Sequence, residues 1–585
     1  MSSTASRRFV PVNPRWFLVG LLSLVLVLRP GTALAEADVF GLGNGQNGTL
    51  QVKDPGSVIN VSTALAAEAP AGATEMRVED ASAFATCKLV LVLQMGDALS
   101  PEAARGDVLD LGRSGAGRWE LARLTETVTG VLRLSAPLVK SFSPLSQAVC
   151  VPEYTDVRIL SSGSLRAQPW NGRSGGVLAF LATGTVFNQG ALEADGMGFA
   201  GGQAETGVAL SLYGCAAADG PASSGGGANK GEGLASRSNG APTHGYGRLA
   251  NGGGGGNCHD AGGGGGGHVG RGGQGGRSSQ EATERDVGGR GGQALSYAQP
   301  MERLLFGGGG GAGIEGSAGG AGGGIIFVRA REIQGPRPRG TITANGLAAP
   351  TAKGLHGGGG GGGAGGTVHV RVAEKFGCTV LSAKGGVGAD SDTSPGGGGG
   401  GGQVFIQAAG GVPAECTASA SAGLSGYTAA GARGAEPIVA GDPAFEGRLT
   451  VIDQGFVAPP VPTWISPGAG ESGVAPMPRL EGKTLPGATV QVLVDGSPLG
   501  EPVVADASGI FVVVSPKELE EGAHEARAWA EQYGLRSSLS APLGFNVGSL
   551  LDLRVGFGCG VASGGGAWGL GLAVLAWVLG RRGRG

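Results

Sequence analysis

The cysteines are the side chains of this chain whose spacing most directly suggests chemistry, because thiols form disulfides or bind metals. There are seven, and the first six fall two by two into successive segments. Six cysteines allow 15 connectivities, of which pairing in chain order is the simplest. We therefore predict three disulfides and an oxidising destination. The predicted pairs are Cys87–Cys150, Cys215–Cys258 and Cys378–Cys416.

A second arrangement with chemical potential is Cys258-His259-Asp260, followed by His268. Thiolate, imidazole and carboxylate groups are ligands for a soft divalent ion such as Zn²⁺. The competing interpretation is a disulfide at Cys258 and ordinary polar residues in a glycine loop, and we favour it. We predict no metal site and no cofactor.

Residues 385–391 resemble the start of a calcium-binding nonapeptide. That motif needs a large apolar residue where this chain has Asp392, and no tandem copy follows. We therefore interpret the segment as an ordinary turn.

The acidic residues between 166 and 412 decide whether an enzyme is plausible, since glycosidases need two carboxyl groups at a defined separation. They are few and scattered, and the charged cluster from Glu281 to Arg290 is interpreted as a solvated loop. We predict no catalytic residues and no enzyme. The alternative is a secreted β-helix carbohydrate-active enzyme, a lyase or hydrolase.

A formal net charge of −3 argues against a nucleic-acid partner.

The N-terminus is typical of an export signal. Basic residues precede an apolar run over 16–28, and small residues up to Ala35 offer a cleavage site. We predict that residues 1–35 are a signal peptide, cleaved after Ala35. The alternative is an uncleaved membrane anchor, for which the apolar run is short compared with the roughly 20 residues of a span.

The C-terminus is typical of an anchor. Cys559 precedes a small-residue spacer, an apolar run over 567–579 and an Arg-rich end, which would stay on the cytoplasmic side of a membrane. We predict that residues 549–585 are a sorting tail that attaches the chain to a membrane. The alternative is an ordinary tail anchor with a chance cysteine.

The composition favours an all-β fold. Glycine supplies 123 of the 585 residues and aromatic residues only 5%, so cores must be built from Val, Ile, Leu and Ala. Residues 36–165 contain short strands, including the continuous apolar run 88–94, typical of a buried strand. Their spacing predicts a small β-barrel or sandwich.

Residues 166–412 contain an internal repeat in which glycine runs alternate with short β-rich phrases. Each unit is too small to bury its own apolar face, whereas stacked units would bury a continuous core. We predict an irregular, glycine-rich parallel β-solenoid. The phrases are 176–182, 324–330, 366–372 and 402–408, with second phrases at 190–196, 340–346 and 378–385.

The glycine runs allow two interpretations. They are flexible surface linkers, or they are extended segments packed closely against one another. The sequence does not decide between them. The runs are 252–256, 262–267, 307–311, 357–363 and 396–402.

Residues 413–457 are interpreted as a connecting segment, and a separate module follows over 458–548. Its strands alternate polar and apolar residues around the turn Asp495-Gly496. This pattern and spacing fit an immunoglobulin-like β-sandwich, without the Cys-Trp-Cys hallmark of antibody domains.

Three resemblances follow from these motifs. The tail resembles the myxobacterial C-terminal sorting domain, which implies proteolytic removal of the tail and lipid attachment near Cys559. The module with residues 485–490, 494–496 and 521–524 resembles bacterial Ig-like domains. The order of segments, starting with Val39-Phe40-Gly41-Leu42-Gly43, is similar to the AgmC group of adventurous-gliding motility surface proteins.

Together these observations predict a structural or adhesive protein anchored at the cell surface or outer membrane. Expected partners are surface polysaccharide or other cell-envelope proteins. Association with gliding motility or extracellular matrix is implied by the resemblance alone.

Overall fold

The computed structural model describes residues 40–98, 106–204, 227–235, 243–257, 260–277, 288–336, 340–351, 357–377, 379–428 and 445–548. Ala35, Cys215, Cys258, Cys378 and Cys559 lie outside these residues. Within them the chain contains no α-helix, only short 3₁₀ turns at Ser82–Phe84 and Pro300–Glu302. The predicted all-β class is confirmed. Among the same residues, none forms a helix with the length and apolar character needed to span a bilayer.

Contacts divide the chain into two units. Among the described residues, the first unit runs from 40 to Ala458 and includes Gln532–Arg536, and the second holds Pro459–Glu531 and 537–548.

The largest element of the first unit is an eight-stranded parallel sheet, called the long sheet here. Its spatial order is β1-β10-β12-β15-β17-β19-β21, with β9 also paired to β12. The strands are β1 (Leu50–Val52), β9 (Glu153–Tyr154), β10 (Val157–Ile159), β12 (Val177–Asn188), β15 (Ile325–Gln334), β17 (Thr367–Lys375), β19 (Gln403–Ala409) and β21 (Arg448–Asp453).

A five-stranded parallel sheet, the short sheet, alternates with the long sheet along the chain. Its order follows the sequence: β11 (Ser164–Arg166), β13 (Ala191–Glu193), β16 (Thr341–Thr343), β18 (Val380–Ser382) and β20 (Thr417–Ser419). Leu192, Ile342 and Leu381 pair in register and are completely buried. They share one apolar cluster with long-sheet residues such as Val328 and Val370. The two parallel sheets therefore enclose a common core.

The repeated phrases of the sequence occupy equivalent positions in these sheets. Ile325 pairs with Thr367, which pairs with Gln403, so the predicted phrases are parallel neighbours. Parallel pairing also reaches beyond 166–412. Strand β1 begins at Leu50, and both β20 and β21 lie within 413–457, for which the sequence predicts only a connecting segment. Their signal was weak, because β20 has one small inward residue, Ala418, and β21 is half exposed.

A six-stranded antiparallel sheet from the N-terminal segment packs on the outer surface of the long sheet. Its order is β2 (Ser62–Ala64), β8 (Ser146–Cys150), β4 (Leu89–Gln94), β6 (Trp119–Val128), β7 (Val131–Leu134) and β3 (Glu75–Arg77). Strand β4 is buried on both faces, as the apolar run predicted. Leu91 contributes to the cluster shared with Phe327 of the long sheet, and Val92 to a second cluster around Phe142.

One further pair of strands completes the first unit, β5 (Val108–Asp110) with β14 (Ala294–Ser296).

The second unit contains two sheets with one apolar cluster between them. One sheet has the order β22 (Thr463–Ser466), β24 (Arg479–Lys483) and β28 (Ile510–Val514). The other has β23 (Glu471–Val474), β31 (Leu543–Val547), β29 (Gly522–Gln532), β25 (Thr489–Val494) and β26 (Ser497–Pro498), with β27 (Val503–Val504) on β25. Strand β30 (Leu535–Arg536) belongs to the stretch Gln532–Arg536 that groups with the first unit. Buried Phe511 and Phe545 face each other's sheet across this core.

Candidate functional site

The glycine runs of the first unit are packed extended segments, not linkers. The run 262–267 shows the arrangement most clearly, since its backbone N–H groups donate to three different segments in turn. Gly263 and Gly266 donate to the carbonyl groups of Gly359 and Gly362, which lie on one segment. Gly264 and Gly267 donate to Gly254 and Asn251 on a second segment. Gly262 and Gly265 donate to Gly276 and Gly273 on a third. A partner that recurs every third residue is the signature of a polyproline II-type helix, which has three residues per turn.

The carbonyl groups of the same run complete its surroundings. They accept from three further segments, through the N–H groups of Gly289 and Gly292, Gly311 and Gly308, and Gly397 and Gly400. Run 262–267 thus has six hydrogen-bonded neighbours. We call the set of runs 252–256, 262–267, 307–311, 357–363 and 396–402 the glycine lattice.

Side chains cannot enter the glycine lattice. A Cβ on Gly263 would lie well under 3.0 Å from the carbonyl oxygen of Gly311, and one on Gly266 would meet that of Gly308 in the same way. Because the blocking atoms are backbone, they cannot swing aside as a flexible side chain would. Only glycine allows segments to approach this closely.

The outermost layer beside the glycine lattice consists of segments 344–351, 383–391 and 420–428, which continue β16, β18 and β20. They are bonded side by side: Ala349 donates to Val387, Gly388 to Leu424 and Ser391 to Tyr427, at 2.9, 2.9 and 3.2 Å. Residues 385–391 are therefore an extended segment within a layer. The interpretation of these residues as a turn was wrong, because it ignored the segments on either side.

On the second and third segments exposed side chains recur at three-residue intervals, Lys384, Val387 and Asp390 on one and Leu424 and Tyr427 on the other, with small residues between them. On the first segment Leu347, Ala348, Pro350 and Thr351 are all exposed. One set of side chains, three residues apart on each segment, aligns across the layer. We call this set the outer face. It comprises Asn345, Ala348 and Thr351 on the first segment, Lys384, Val387 and Asp390 on the second, and Ser421, Leu424 and Tyr427 on the third.

The outer face combines an apolar middle with polar borders. Val387 is 43% exposed, Leu424 is 45% exposed, and they align across the segments with Ala348. Tyr427 is 73% exposed and belongs to a border row. Large apolar side chains exposed together mark interaction sites more often than scattered ones do.

Side chains also hold the outer layer in register. The carboxylate of Asp195 accepts hydrogen bonds from the backbone N–H and the side-chain amide of Asn345, at 2.6 and 3.2 Å. The Asn345 amide oxygen in turn accepts from the N–H of Lys384 at 2.8 Å. Asp390 accepts from the N–H of Tyr427 at 2.7 Å. The outer face is therefore a preorganised surface.

The predicted disulfide Cys87–Cys150 is present, with the two Cα atoms 5.8 Å apart. Cys416 is half-buried, and its predicted partner Cys378 lies outside the described residues. Cys215 and Cys258, the sorting residue Cys559 and the cleavage site after Ala35 also lie outside them, so these predictions stay untested.

The candidate metal ligands do not come together in the part of the chain that the structure describes. Within it no group of three or more His, Cys, Asp and Glu side chains is placed to hold an ion. His268 is completely buried, and its Nε2 lies 3.2 Å from the carbonyl oxygen of Leu305. Burial lowers the pKa of His268 to about 4. His259 and Cys258 are outside the described residues, as is most of the charged cluster from Glu281 to Arg290.

A buried ion pair joins the antiparallel sheet to the start of the described chain. Glu153 is completely buried and pairs with Arg123 of β6. The same carboxylate accepts from the N–H of Asn44 at 3.1 Å and from the side-chain amide of Gln46 at 2.9 Å. Glu153 therefore fixes the segment after Phe40.

A second buried polar array lies where the antiparallel sheet covers the long sheet. The His369 ring stacks between Phe327 and Phe405, with ring centroids 5.2 and 4.8 Å apart. The Trp119 ring contacts Phe327 edge-on at 5.2 Å. Both ring nitrogens of His369 are buried without a hydrogen-bond partner. Burial, with the Arg371 and Arg329 charges, holds the pKa of His369 well below its usual value.

A shallow cleft near Trp170 is a weaker candidate site. Met95, Leu145 and Phe199 contribute to its lining. Its carboxylate, Glu232, already accepts from the Trp170 indole N–H and the Ala200 N–H, both at 3.0 Å. The polar groups of the cleft thus serve internal contacts.

Sequence reasoning missed the outer face, although a signal was present. Residues 384–390 and 421–427 both place a non-glycine side chain at every third position with small residues between. No protein-family model, curated protein or solved structure matches the chain.

Proposed function

We propose that the chain is a structural or adhesive protein anchored at the cell surface, with the outer face as its contact surface. The single observation that carries this proposal is the outer face itself, in which exposed side chains recur at three-residue intervals on a hydrogen-bonded backbone layer. A surface that is held in register by backbone hydrogen bonds needs little ordering when a partner binds, which favours affinity.

The disulfide supports an extracellular setting. Cys87 and Cys150 are separated by 63 residues, and such cross-links persist in oxidising compartments. The predicted signal peptide, the Cys559 tail and an Ig-like second unit as a membrane-proximal stalk belong to the same proposal. We also propose that the two parallel sheets form a β-solenoid. A role in gliding motility or matrix attachment rests on the resemblance alone.

Labelling of intact cells with a membrane-impermeant amine reagent tests the proposal. We expect labelled protein whose mature N-terminus follows Ala35 and whose C-terminus lies near Cys559, with Cys87 and Cys150 oxidised. The matched variant Cys559→Ala should still lose its signal peptide but should not be retained at the surface. Recovery of the wild-type chain in the cytosol, with both ends intact and both thiols reduced, would disprove it.

A further inference from the structure

We propose that the outer face binds a neutral polysaccharide in an extended conformation, with the sugar rings lying along the row Ala348, Val387 and Leu424. The inference rests on the proposed function in one respect, that the outer face meets material outside the cell. It adds the chemical class of the ligand and the residues that recognise it.

The first argument is the regularity of the outer face. Side chains recur along each segment at about 9 Å, three times the rise of about 3.1 Å per residue. Neighbouring segments bonded side by side are about 4.8 Å apart, as in a sheet. A surface with regular spacings in two directions complements an extended polymer better than it complements the irregular surface of a globular partner.

The second argument is the order of chemistry across the face. The middle row, Ala348, Val387 and Leu424, is apolar. Polar rows border it, with Asn345, Lys384 and Ser421 on one side and Thr351, Asp390 and Tyr427 on the other. An extended sugar chain has the same layout, because its ring faces carry C–H groups and its edges carry hydroxyls. The middle row would pack on ring faces while amide, hydroxyl and phenol groups bond the edges.

The third argument is charge. Lys384 and Asp390 are the charged members of the outer face, and they lie on the same segment on either side of Val387. Asp392 is also exposed, just beyond Asp390, so the face and its border carry one positive and two negative charges. Anionic polymers such as uronates or nucleic acids bind through concentrated positive charge, which this face does not present. A neutral polymer is the class that fits.

Tyr427 supplies the strongest single contact. Its side chain is 73% exposed, although its backbone is fixed by the bond to Asp390. An exposed tyrosine ring offers an apolar face and a polar hydroxyl at a low cost in conformational entropy. Its hydroxyl can bond the edge of a sugar ring, while its ring extends the apolar surface beside Leu424.

Affinity electrophoresis of the purified full chain tests this inference with cellulose derivatives, β-glucan, mannan and soluble chitin as neutral probes, and alginate as the anionic probe. We expect retardation by at least one neutral polymer, unaffected by salt because no counterions are released. Tyr427→Ala and Val387→Asp should each weaken it at least tenfold. Val139→Asp, at a valine 47% exposed in the antiparallel part of the unit, should leave it unchanged.

The outcomes separate this inference from the proposed function. Retardation by no neutral polymer, retardation by alginate alone, or equal loss in Val139→Asp would overturn it. So would capture of a cell-envelope protein through Tyr427 and Val387 without polysaccharide, which would leave the adhesive proposal standing. A chain that binds polysaccharide but is absent from the labelled cell surface would instead refute the surface location alone. Near-UV circular dichroism confirms that each variant is folded.

Discussion

Gly263 donates its backbone N–H to the carbonyl oxygen of Gly359 at 2.8 Å, which joins the glycine runs 262–267 and 357–363. From the sequence alone, both runs could equally be flexible linkers. Together with the bond from Gly266 to Gly362, this contact aligns two helices of three residues per turn. Glycine here forms the interior of the unit. The described glycine runs are therefore closely packed and hydrogen-bonded segments, not loose linkers.

Substitution within the glycine lattice should destabilise the first unit strongly. Gly263→Ala forces a Cβ against the Gly311 carbonyl oxygen. Overpacking of a close-packed interior costs about 1–3 kcal/mol or more, and a backbone obstacle places this change at the upper end. The midpoint of the first-unit transition in urea measures the effect.

Gly106→Ala is the matched control for that experiment. A Cβ at Gly106 would meet the carbonyl oxygen of Val108 at an unstrained 3.6 Å. We expect a shift of about 0.5 kcal/mol or less, as for ordinary surface changes. Equal midpoints for the two alanine variants would contradict the packed lattice.

The Cys87–Cys150 disulfide should contribute measurably to the stability of the antiparallel sheet. A cross-link that closes a long loop restricts the unfolded chain and stabilises the fold by about 2–4 kcal/mol. The double variant Cys87→Ser/Cys150→Ser should lower the unfolding midpoint accordingly. Dithiothreitol should lower the midpoint of the wild type by breaking this bond, and this contribution should be absent in the variant. Non-reducing peptide mapping checks this pair and, with it, the untested pairs Cys215–Cys258 and Cys378–Cys416. Recovery of Cys87 linked to any other cysteine would count against the assignment.

Loss of the Glu153 carboxylate should be far more damaging than loss of a surface carboxylate. Glu153→Gln leaves the Arg123 guanidinium without its buried counter-ion. Removal of one partner of a fully buried pair typically costs about 3–5 kcal/mol, and we expect the lower end because the Arg123 side chain is 26% exposed. Limited proteolysis should then cut the segment after Phe40, which the carboxylate holds.

The comparison variant is Glu126→Gln, since Glu126 pairs with Arg133 where both side chains are at least half exposed. Exposed pairs contribute about 1 kcal/mol or less. If both glutamine variants unfold at the same urea concentration, the Glu153–Arg123 pair contributes no more to stability than the exposed Glu126–Arg133 pair.

The pairing of the parallel strands could largely be predicted from the sequence, whereas the packing of the antiparallel sheet on top of them could not. Residues 324–330 and 366–372 contain alternating or continuous apolar runs, and their strands pair in register, with Ile325 opposite Thr367. Yet alternation such as Thr367-Val368-His369 is typical of a strand with one face in solvent. That face is buried because the antiparallel sheet packs on it through Trp119.

The outer face was missed for a different physical reason. Recognition of strands and helices relies on periods of two and 3.6 residues, whereas segments 384–390 and 421–427 repeat every three. A three-residue period has no apolar stripe of its own, because the two inward positions must be small. Glycine-rich surroundings also mask the repeat, since runs of glycine match almost any pattern.

The buried histidines should make the first unit sensitive to acid. Burial lowers the pKa of His268 to about 4 and holds that of His369 well below its usual 6.5. Below pH 6.5 these histidines become protonated in the unfolded chain but stay neutral in the folded chain. The free energy of unfolding therefore falls as the pH decreases. The loss continues from pH 6.5 to the folded-state pKa, by about 1.4 kcal/mol per pH unit for each histidine.

His369→Phe tests this sign directly, because a phenyl ring continues the stack of Phe327 and Phe405 and has no proton to gain. Arg329 and Arg371 flank the site on the neighbouring positions, and Trp119 covers it from the antiparallel sheet. We expect wild type and variant to diverge as the pH is lowered from 7 to 5, with the variant more stable at pH 5. Urea midpoints measured at half-unit steps reveal the divergence. Parallel curves over that range would show that His369 titrates in the folded chain as it does in the unfolded chain, which would contradict its burial without a hydrogen-bond partner.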